Sequence, residues 1–473
     1  MKTKIVPSGW LKLDGRRLDC GPYVSGALEA RVLLDSLSAI KEPLFELCSR
    51  GKAGIYHAGR ETRRWVTDPT AGVPFLGSTD ILSADLAGLP LLSNAQVRAN
   101  PRLLIHHGWT LITRTGTIGR MAYCRPDMDG LACSEHVMRV VPDPDRVPPG
   151  YLYAYLASRY GVPQVTGSTY GSIIQSIEPQ HIVDLPVPRL GEQLERHVHG
   201  LVERAATFRV QSSHLLEDAK RKVSQLWGVD PDRRFRAVTH PDIRIVRASG
   251  LRRTSRFDAF FYGSAATASD ETLAEISRRL PVKKIGDAEV SVEVFETTRF
   301  GRVSVEDERF GVAFLSISDM MRGDPKAESF ISRKQALAVR AVVNAGWLIL
   351  PRVGQLQGVF GTVSYVARHL DGVAVSDNNV RIVPVGADEG AYLWAALSTD
   401  LLYQQIVRRA CGASIPYIDA KRIADIPVPW PSREQRLSVA EGVKEAMELR
   451  SRASKCEADA VAEVETAIKR GAN

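Results

Sequence analysis

Five blocks of this chain occur twice, in the same order and at nearly the same separation. Residues 129–142 read DGLACSEHVMRVVP and residues 371–384 read DGVAVSDNNVRIVP, with seven of the fourteen positions identical. RLDCGPY (17–23) returns as RFDAFFY (256–262), and GVPFLGSTDIL (72–82) returns as GVAFLSISDMM (311–321). GWTLITRTG (108–116) returns as GWLILPRVG (346–354), and IVDLPVPRLGEQ (182–193) as IADIPVPWPSREQ (423–435). The separations are 239, 239, 238 and 241 residues for these four, and 242 for the first. Chance similarity does not stay colinear over five blocks. The chain is therefore two copies of one unit, each of roughly 240 residues, and whatever one copy folds into the other must also accommodate.

Each copy divides into two parts. The first is β-rich: WTLITRTG and WLILPRVG are apolar runs ending in glycine, as expected of buried strands entering tight turns. HVMRVVP and NVRIVP alternate apolar and polar positions and stop at proline, which predicts half-buried strands. YLYAYLASRYG and AYLWAALSTDLLYQQIV are expected to be amphipathic helices beside them. After the PVP stops at 186–188 and 427–429 the chain turns helical. Leu194, Val198, Leu201, Ala205, Phe208, Ser212, Leu215, Ala219, Lys222 and Leu226 keep a 4,3 rhythm, a heptad seam of nearly five repeats. Ala446, Leu449, Ala453, Cys456, Ala460 and Ala467 repeat it, with Val464 covering for Glu463. A narrow stripe on a helix about 50 Å long outruns a globule of this size, so the two helices are expected to pair with each other, antiparallel and about a pseudo-twofold axis. The expectation is a caliper with two similar heads at most about 50 Å apart, facing the same way. Helices packed on their own globules are the alternative.

The expected fold class is α+β: two similar mixed α/β domains separated by an antiparallel two-helix coiled coil. The expected segments are 1–188, the helix 189–228, 229–429 and the helix 430–473. At 473 residues, with 44% hydrophobic and 25% charged, the composition is that of an ordinary globular chain. No run of 18 apolar residues and no signal-peptide pattern occurs, and six scattered cysteines form no CxxC pair. A cytoplasmic location with free thiols is expected, with no membrane partner and no metal. The net charge of +8 suits a polyanionic partner, particularly where GRETRRW (59–65) and the arginines of residues 233–256 cluster, although a solvated surface explains charge alone equally well.

These features resemble the specificity (S) subunit of type I restriction–modification systems. The resemblance rests on TRTGTIGRMAY (113–123), YLYAYLASRYG (151–161), TYGSIIQSIEPQHIVDLPVP (169–188) and Glu192-Gln193, with GASIPYIDAKRIADIPVP (412–429) and Glu434-Gln435 in the second copy. It spans nearly the whole chain. The second copy departs from the first in RVGQLQGVFGTVSY (352–365), where a turn is longer. The resemblance implies two target recognition domains, each reading half of a bipartite site in double-stranded DNA. It implies no chemistry and no cofactor in this chain. Two DNA methyltransferase (M) subunits would be recruited, carrying S-adenosylmethionine and methylating adenine N6, with restriction (R) motor–nuclease subunits as an optional further partner.

Base edges are usually read by Arg, Lys, Asn and Gln, and phosphates by Arg, Lys, Ser, Thr and backbone N–H. The candidate DNA contacts are therefore Arg60, Arg63 and Arg64, then Arg114, Thr115, Thr117 and Arg120 around a glycine turn. In the second copy they are Arg299 and Arg302, then Arg352, Gln355 and Gln357. A surface salt bridge or a strand-capping turn is the competing explanation for each. The shared Gly171-Ser172 and Gly412-Ala413-Ser414 runs can equally be helix entries. Catalytic residues are not expected. There is no phosphate-binding G-x-x-x-x-G-K-[ST], and Val147-Pro148-Pro149-Gly150 lacks the polar and aromatic residues of an amino-methyltransferase motif. His106-His107, on a strand, would face opposite ways. Asp218-Ala219-Lys220 and Asp419-Ala420-Lys421 have nuclease-like spacing, but the first lies on the heptad helix. Two other classes remain open: a DNA enzyme with an unrecognised centre in one head, and a protein-binding scaffold.

Overall fold

The computed structural model describes residues 5–10, 23, 25–83, 85–167, 176–236, 242–254, 256–320, 322, 325, 327, 329–356, 358–412 and 415–471. Gln357, Gly171-Ser172 and Ala413-Ser414 lie outside them. The chain forms two compact units, Met1–Val210 with Arg452–Asn473, and Gln211–Ser451. The division falls inside both long helices, Glu192–Trp227 and Arg433–Gly471, so each unit contains part of each helix.

The first unit holds strands β1 (Lys41–Pro43), β2 (Ile55–Tyr56), β3 (Trp65–Val66), β4 (Gly72–Leu76), β5 (Leu91–Ser93), β6 (Thr110–Thr113), β7 (Met121–Tyr123), β8 (Ala132–Cys133), β9 (Val137–Val140) and β10 (Pro186–Pro188). The second holds β11 (Val282–Lys284), β12 (Ser291–Glu296), β13 (Ser304–Val305), β14 (Gly311–Leu315), β15 (Ser329–Ser332), β16 (Leu348–Pro351), β17 (Ser364–Tyr365), β18 (Ala374–Val375), β19 (Asn379–Pro384) and β20 (Pro427–Pro429). The sheets are β2-β9-β6-β7, β3-β5-β4-β8 and β1-β10 in the first unit, and β12-β19-β16-β17, β13-β15-β14-β18 and β11-β20 in the second. Strand by strand these are the same orders. The registers agree too: Phe75 pairs with Ala132 in a parallel ladder and Phe314 with Ala374, while Tyr56 faces Arg139 and Phe295 faces Arg381. Both copies turn at Asp-Gly. Gly130 and Gly372 have φ of 74° and 78°, which a side chain rarely adopts, and Asp129 and Asp371 accept the backbone N–H of His107 and Ala345.

Several local expectations change. The strands β9 and β19 were expected to be half-buried from their alternation, but Val137–Val140 are all buried, as are Asn379–Ile382. The polar positions that produced the alternation are Arg139 and Arg381, each 0% exposed. Arg139 donates to the carbonyls of Cys133, Ser134, Val137 and Leu103, and Arg381 to those of Val375, Ser376 and Asn379. Burial pulls the Arg381 guanidinium down to about 10, against the opposing pull of Asp377.

Of the helices beside the strands, Asp400–Arg409 is amphipathic, burying Leu401, Leu402, Gln405 and Ile406, but Pro149–Leu156 and Ala387–Leu397 are not. Gly150–Leu156 of the helix Pro149–Leu156 are buried on every side, as are Gly390–Leu397 of Ala387–Leu397. The run 391–407 is two helices, because Thr399 caps a new one at Asp400–Arg409 through the N–H of Leu402. Their tyrosines anchor the PVP segments, which pair as edge strands rather than merely ending the globule: Tyr151 and Tyr392 donate to the carbonyls of Pro188 and Pro429. His106 and His107 sit in the turn before β6, not on a strand.

The long helices bury a wider face than a heptad seam. Val198, Leu201, Val202 and Ala206 join Ala460, Val464 and Ile468 in the core of the first unit. In the second, Leu216, Ala219, Val223 and Trp227 join Val439, Ala440, Val443, Ala446 and Met447. Beyond Ser212 the expected seam is kept only at Ala219; Leu216, Val223 and Trp227 are buried in place of Leu215, Lys222 and Leu226. Lys222 is exposed and donates to the Ser438 carbonyl, while Val223 and Trp227 turn inward to meet the β-rich core. Within the second unit, a Cβ on Gly442 would sit 3.9 Å from the Leu215 carbonyl, and Lys222 meets Ser438, so the helices run antiparallel there. The helices therefore pair and also pack on their own β-rich parts. No helix among the described residues is long and apolar enough to cross a membrane.

Replacing Arg139 or Arg381 by Met removes the donors of three or four buried carbonyls. Each variant is expected to lose about 2–4 kcal/mol of stability, read as a lower urea midpoint. Similar losses from the two are expected because the two guanidinium groups have equivalent surroundings.

Candidate nucleic-acid interface

Three segments meet at one edge of the first unit. They are the stretch leading into β3, the turn between β6 and β7, and the 134–136 loop between β8 and β9. Arg63 comes from the first. Its Nη2 lies 3.2 Å from Ser134 Oγ and 3.0 Å from Glu135 Oε2, and its guanidinium stands 4.7 Å over the Phe75 ring. Burial pushes the Glu135 carboxyl up, but its own N–H, Arg63 and His136 together hold it below its ordinary value. Glu135 therefore stays charged and keeps Arg63 in place.

Arg114 and Thr115 come from the turn. Arg114 is buried: Nε donates to the Ile177 carbonyl at 3.0 Å, Nη1 to Glu135 at 3.4 Å, and Nη2 pairs with Glu178. Thr115 Oγ1 lies 2.7 Å from His136 Nδ1. Arg63 belongs to one cluster of candidate contacts in the sequence and Arg114 and Thr115 to another; the structure brings the three together, as the frame of the loop. Thr117 is exposed and its carbonyl accepts the Thr113 hydroxyl; Arg120 is half-buried beside it. Arg60 and Arg64 project outward, and neither guanidinium has a partner among the described residues.

The second unit keeps part of this frame. Arg302 stands 4.5 Å over Phe314, repeating Arg63 over Phe75. Arg352 donates its backbone N–H to the Asn378 carbonyl as Arg114 does to His136, but its guanidinium turns to Glu296 at 3.3 Å. Arg299 and Gln355 are exposed. Of the arginines in 233–256, Arg256 is held by Asp258 and the Ala410 carbonyl, Arg233 lies over Phe235, and Arg236, Arg244 and Arg247 are exposed.

Sequence reasoning missed a second arginine–aromatic pair. Arg102 lies 4.8 Å over Tyr56, which meets Trp109 edge-on at 6.3 Å; Arg340 lies 3.9 Å over Phe295, which meets Trp347 at 6.0 Å. The signal was present, since both arginines stand six residues before a Gly-Trp pair. The nuclease-like spacings are structural. Asp419 caps the helix Ala420–Ala424 through the N–H of Arg422, and Asp218 is exposed on the first long helix. Among the described residues no group of three or more His, Cys, Asp or Glu could hold a metal.

No family model and no curated relative matches this chain. Solved structures do. The type I restriction–modification S subunit from M. genitalium is 12% identical, covering 92% of this chain and 96% of its own, with a TM-score of 0.35. The HsdS subunit from Thermoanaerobacter tengcongensis is 13% identical over 91% and 95%, with a TM-score of 0.28. A chain of a type I R-M system, described for its complex assembly and conformational transition, is 14% identical over 92% and 97%, with a TM-score of 0.29. Superpositions this loose carry no argument about what the chain does.

Arg114→Ala leaves two carbonyls without their donor and Glu178 with only its His57 contact, and is expected to destabilise the first unit by about 2–3 kcal/mol. Arg60→Ala and Arg64→Ala remove exposed side chains and are expected to stay within about 0.5 kcal/mol of the parent. Thermal melts of the three variants separate the frame from the outward-facing groups.

Proposed function

We propose that this chain is a non-catalytic specificity subunit that reads a bipartite, asymmetric site in double-stranded DNA for a type I restriction–modification complex. The observation that carries the reading is duplication with divergence. One three-sheet unit is built twice in the same register, yet the cationic loops at its edge differ. Such a chain suits a target with two unlike halves.

Physical argument supports the same division of labour. Each mismatched base pair costs roughly 1–3 kcal/mol, so two readers on one chain reject sites that one reader would tolerate. The second engagement is effectively intramolecular. In this reading Arg60, Arg64, Thr117, Arg120, Arg299 and Gln355 reach DNA. Arg63, Arg114, Thr115, Arg302 and Arg352 hold the loops that carry them. Gln357 joins the DNA-reaching candidates on sequence alone. The paired helices would serve as the docking element for two methyltransferase subunits, which supply S-adenosylmethionine and flip the target adenine out of the duplex.

The test is a genome-wide map of N6-methyladenine in the host with and without this chain. An interrupted, asymmetric motif is expected to lose methylation on deletion; an unchanged map overturns the reading. Purified protein mixed with its methyltransferase partner is expected to bind duplex DNA with log K falling linearly against log salt. A flat salt dependence would instead favour a protein-binding scaffold, and turnover of DNA by this chain alone would favour an enzyme.

A further inference from the structure

An open cleft of about 500 Å³ lies on the first unit, bounded by Arg50, Ala53, Tyr56, His57, Gly59 and Arg102. Its charge is one-sided. Arg50 and Arg102 are exposed, and neither makes a salt bridge among the described residues; Arg102 Nη2 has only the His57 carbonyl at 3.4 Å. Glu178, next to the lining residue Pro179, is already engaged by Arg114 and by His57 Nε2 at 3.3 Å. Two cations without acids, facing one concavity, attract an anion more strongly than the same charges on a convex surface, because low-dielectric walls focus the field.

The backbone adds a second observation. The only described non-glycine residues with positive φ are Arg50, at 66°, and Arg340, at 55°. That conformation costs about 1 kcal/mol or more and persists only where the surroundings impose it. Both arginines sit beside the equivalent aromatic, Tyr56 or Phe295. Tyr56 is half-buried, and burial raises its phenol despite the opposing pull of Arg139, Arg102 and Arg50, so the hydroxyl keeps its proton and can donate.

The second unit supplies an internal comparison. There Arg340 takes the place of Arg102, but Glu293 clamps it with two bonds of 3.0 and 2.6 Å. Phe295 replaces Tyr56 and removes the hydroxyl. The scaffold is the same, while the free charge and the donor are gone.

We propose that the Arg50–Tyr56–Arg102 cleft of the first unit binds a phosphate ester, and that its counterpart in the second unit does not. Two guanidinium groups and a phenol hydroxyl match the acceptor oxygens of a phosphate. The phosphate can belong to the DNA backbone, in which case the site deepens the function proposed above, or to a free phosphate compound, in which case it stands apart from it.

Two measurements on the full chain separate these cases. The first is the salt dependence of duplex DNA binding for the parent, Arg50→Ala/Arg102→Ala and Arg340→Ala. The double variant removes one phosphate contact and is expected to reduce the slope of log K against log salt by about 1, and Arg340→Ala to leave it unchanged. The second is broadening of the pyrophosphate phosphorus resonance by the parent and the double variant. Both altered side chains are exposed, so the melting temperature is expected to stay at the parent value, with Arg50→Ala alone as the milder check. A smaller slope in the double variant assigns the cleft to DNA. Pyrophosphate broadening lost in the double variant, from a chain that does not bind DNA, assigns it to a free phosphate and removes the DNA reading instead. An unchanged slope together with pyrophosphate broadening that is absent or unaltered overturns the cleft proposal and leaves the DNA reading standing. An equal loss of slope in Arg340→Ala overturns the claimed difference between the units.

Discussion

A buried guanidinium organises each unit. Arg139 and Arg381 are fully enclosed, and neither has a carboxylate partner among the described residues; main-chain carbonyls accept from their Nη groups, while the Nε of each is buried without a hydrogen-bond partner among the described residues. An uncompensated buried charge costs several kcal/mol, and charge-assisted hydrogen bonds of about 1.5–3 kcal/mol each offset it only while every carbonyl stays in place. The arginine therefore fixes its own surroundings. It ties β9 to the end of β8 and to the 134–136 loop, and in the second unit it ties β19 to β18 and to the 376–378 loop. The polar groups at the candidate interface hang from those loops.

From that anchor the arginines separate into two kinds. Arg63 and Arg114 meet acids and carbonyls of the anchored loop and set its shape. Arg60, Arg64, Arg299 and Gln355 stand outside it and are exposed. A recognition surface needs both kinds, because a reading side chain is only as well placed as the loop beneath it. The arrangement also explains how two copies can keep one scaffold and read different targets: the anchor is internal, and the outward residues carry no load from it.

The copies have diverged most where charge is neutralised. Arg102 and Arg340 occupy the same place over Tyr56 and Phe295, yet Glu293 pairs with the second and no acid among the described residues pairs with the first. Arg114 and Arg352 begin the same turn but choose different acids, Glu178 and Glu296. Backbone topology is held by burial, which tolerates little change, whereas one carboxylate more or less at the rim alters the surface potential without disturbing the fold.

Much of this was legible in the residues. Five colinear blocks established the duplication, the glycine-terminated runs became β6 and β16, and long apolar periodicity marked the paired helices. These features are local, and period and turn chemistry report local structure directly. Alternation misled at Arg139 and Arg381, because a polar residue reads as solvent-facing unless its acceptors are known. The PVP segments read as stops because the strands that pair with them, Lys41–Pro43 and Val282–Lys284, lie about 145 residues earlier. The heptad seam lost its register past Ser212 because a helix flanked by both a partner helix and a β-rich core must bury more than one stripe. So the chain by itself determined that there are two copies of one unit, where their strands and long helices run, and that their edges are cationic. Only the tertiary structure decided which arginines are anchors, which are frames and which are free: the pairing acids come from 47 to 72 residues away, as with Arg340 and Glu293 or Arg63 and Glu135, and the anchors Arg139 and Arg381, whose acceptors lie 2 to 36 residues away, are enclosed only once the strands assemble around them.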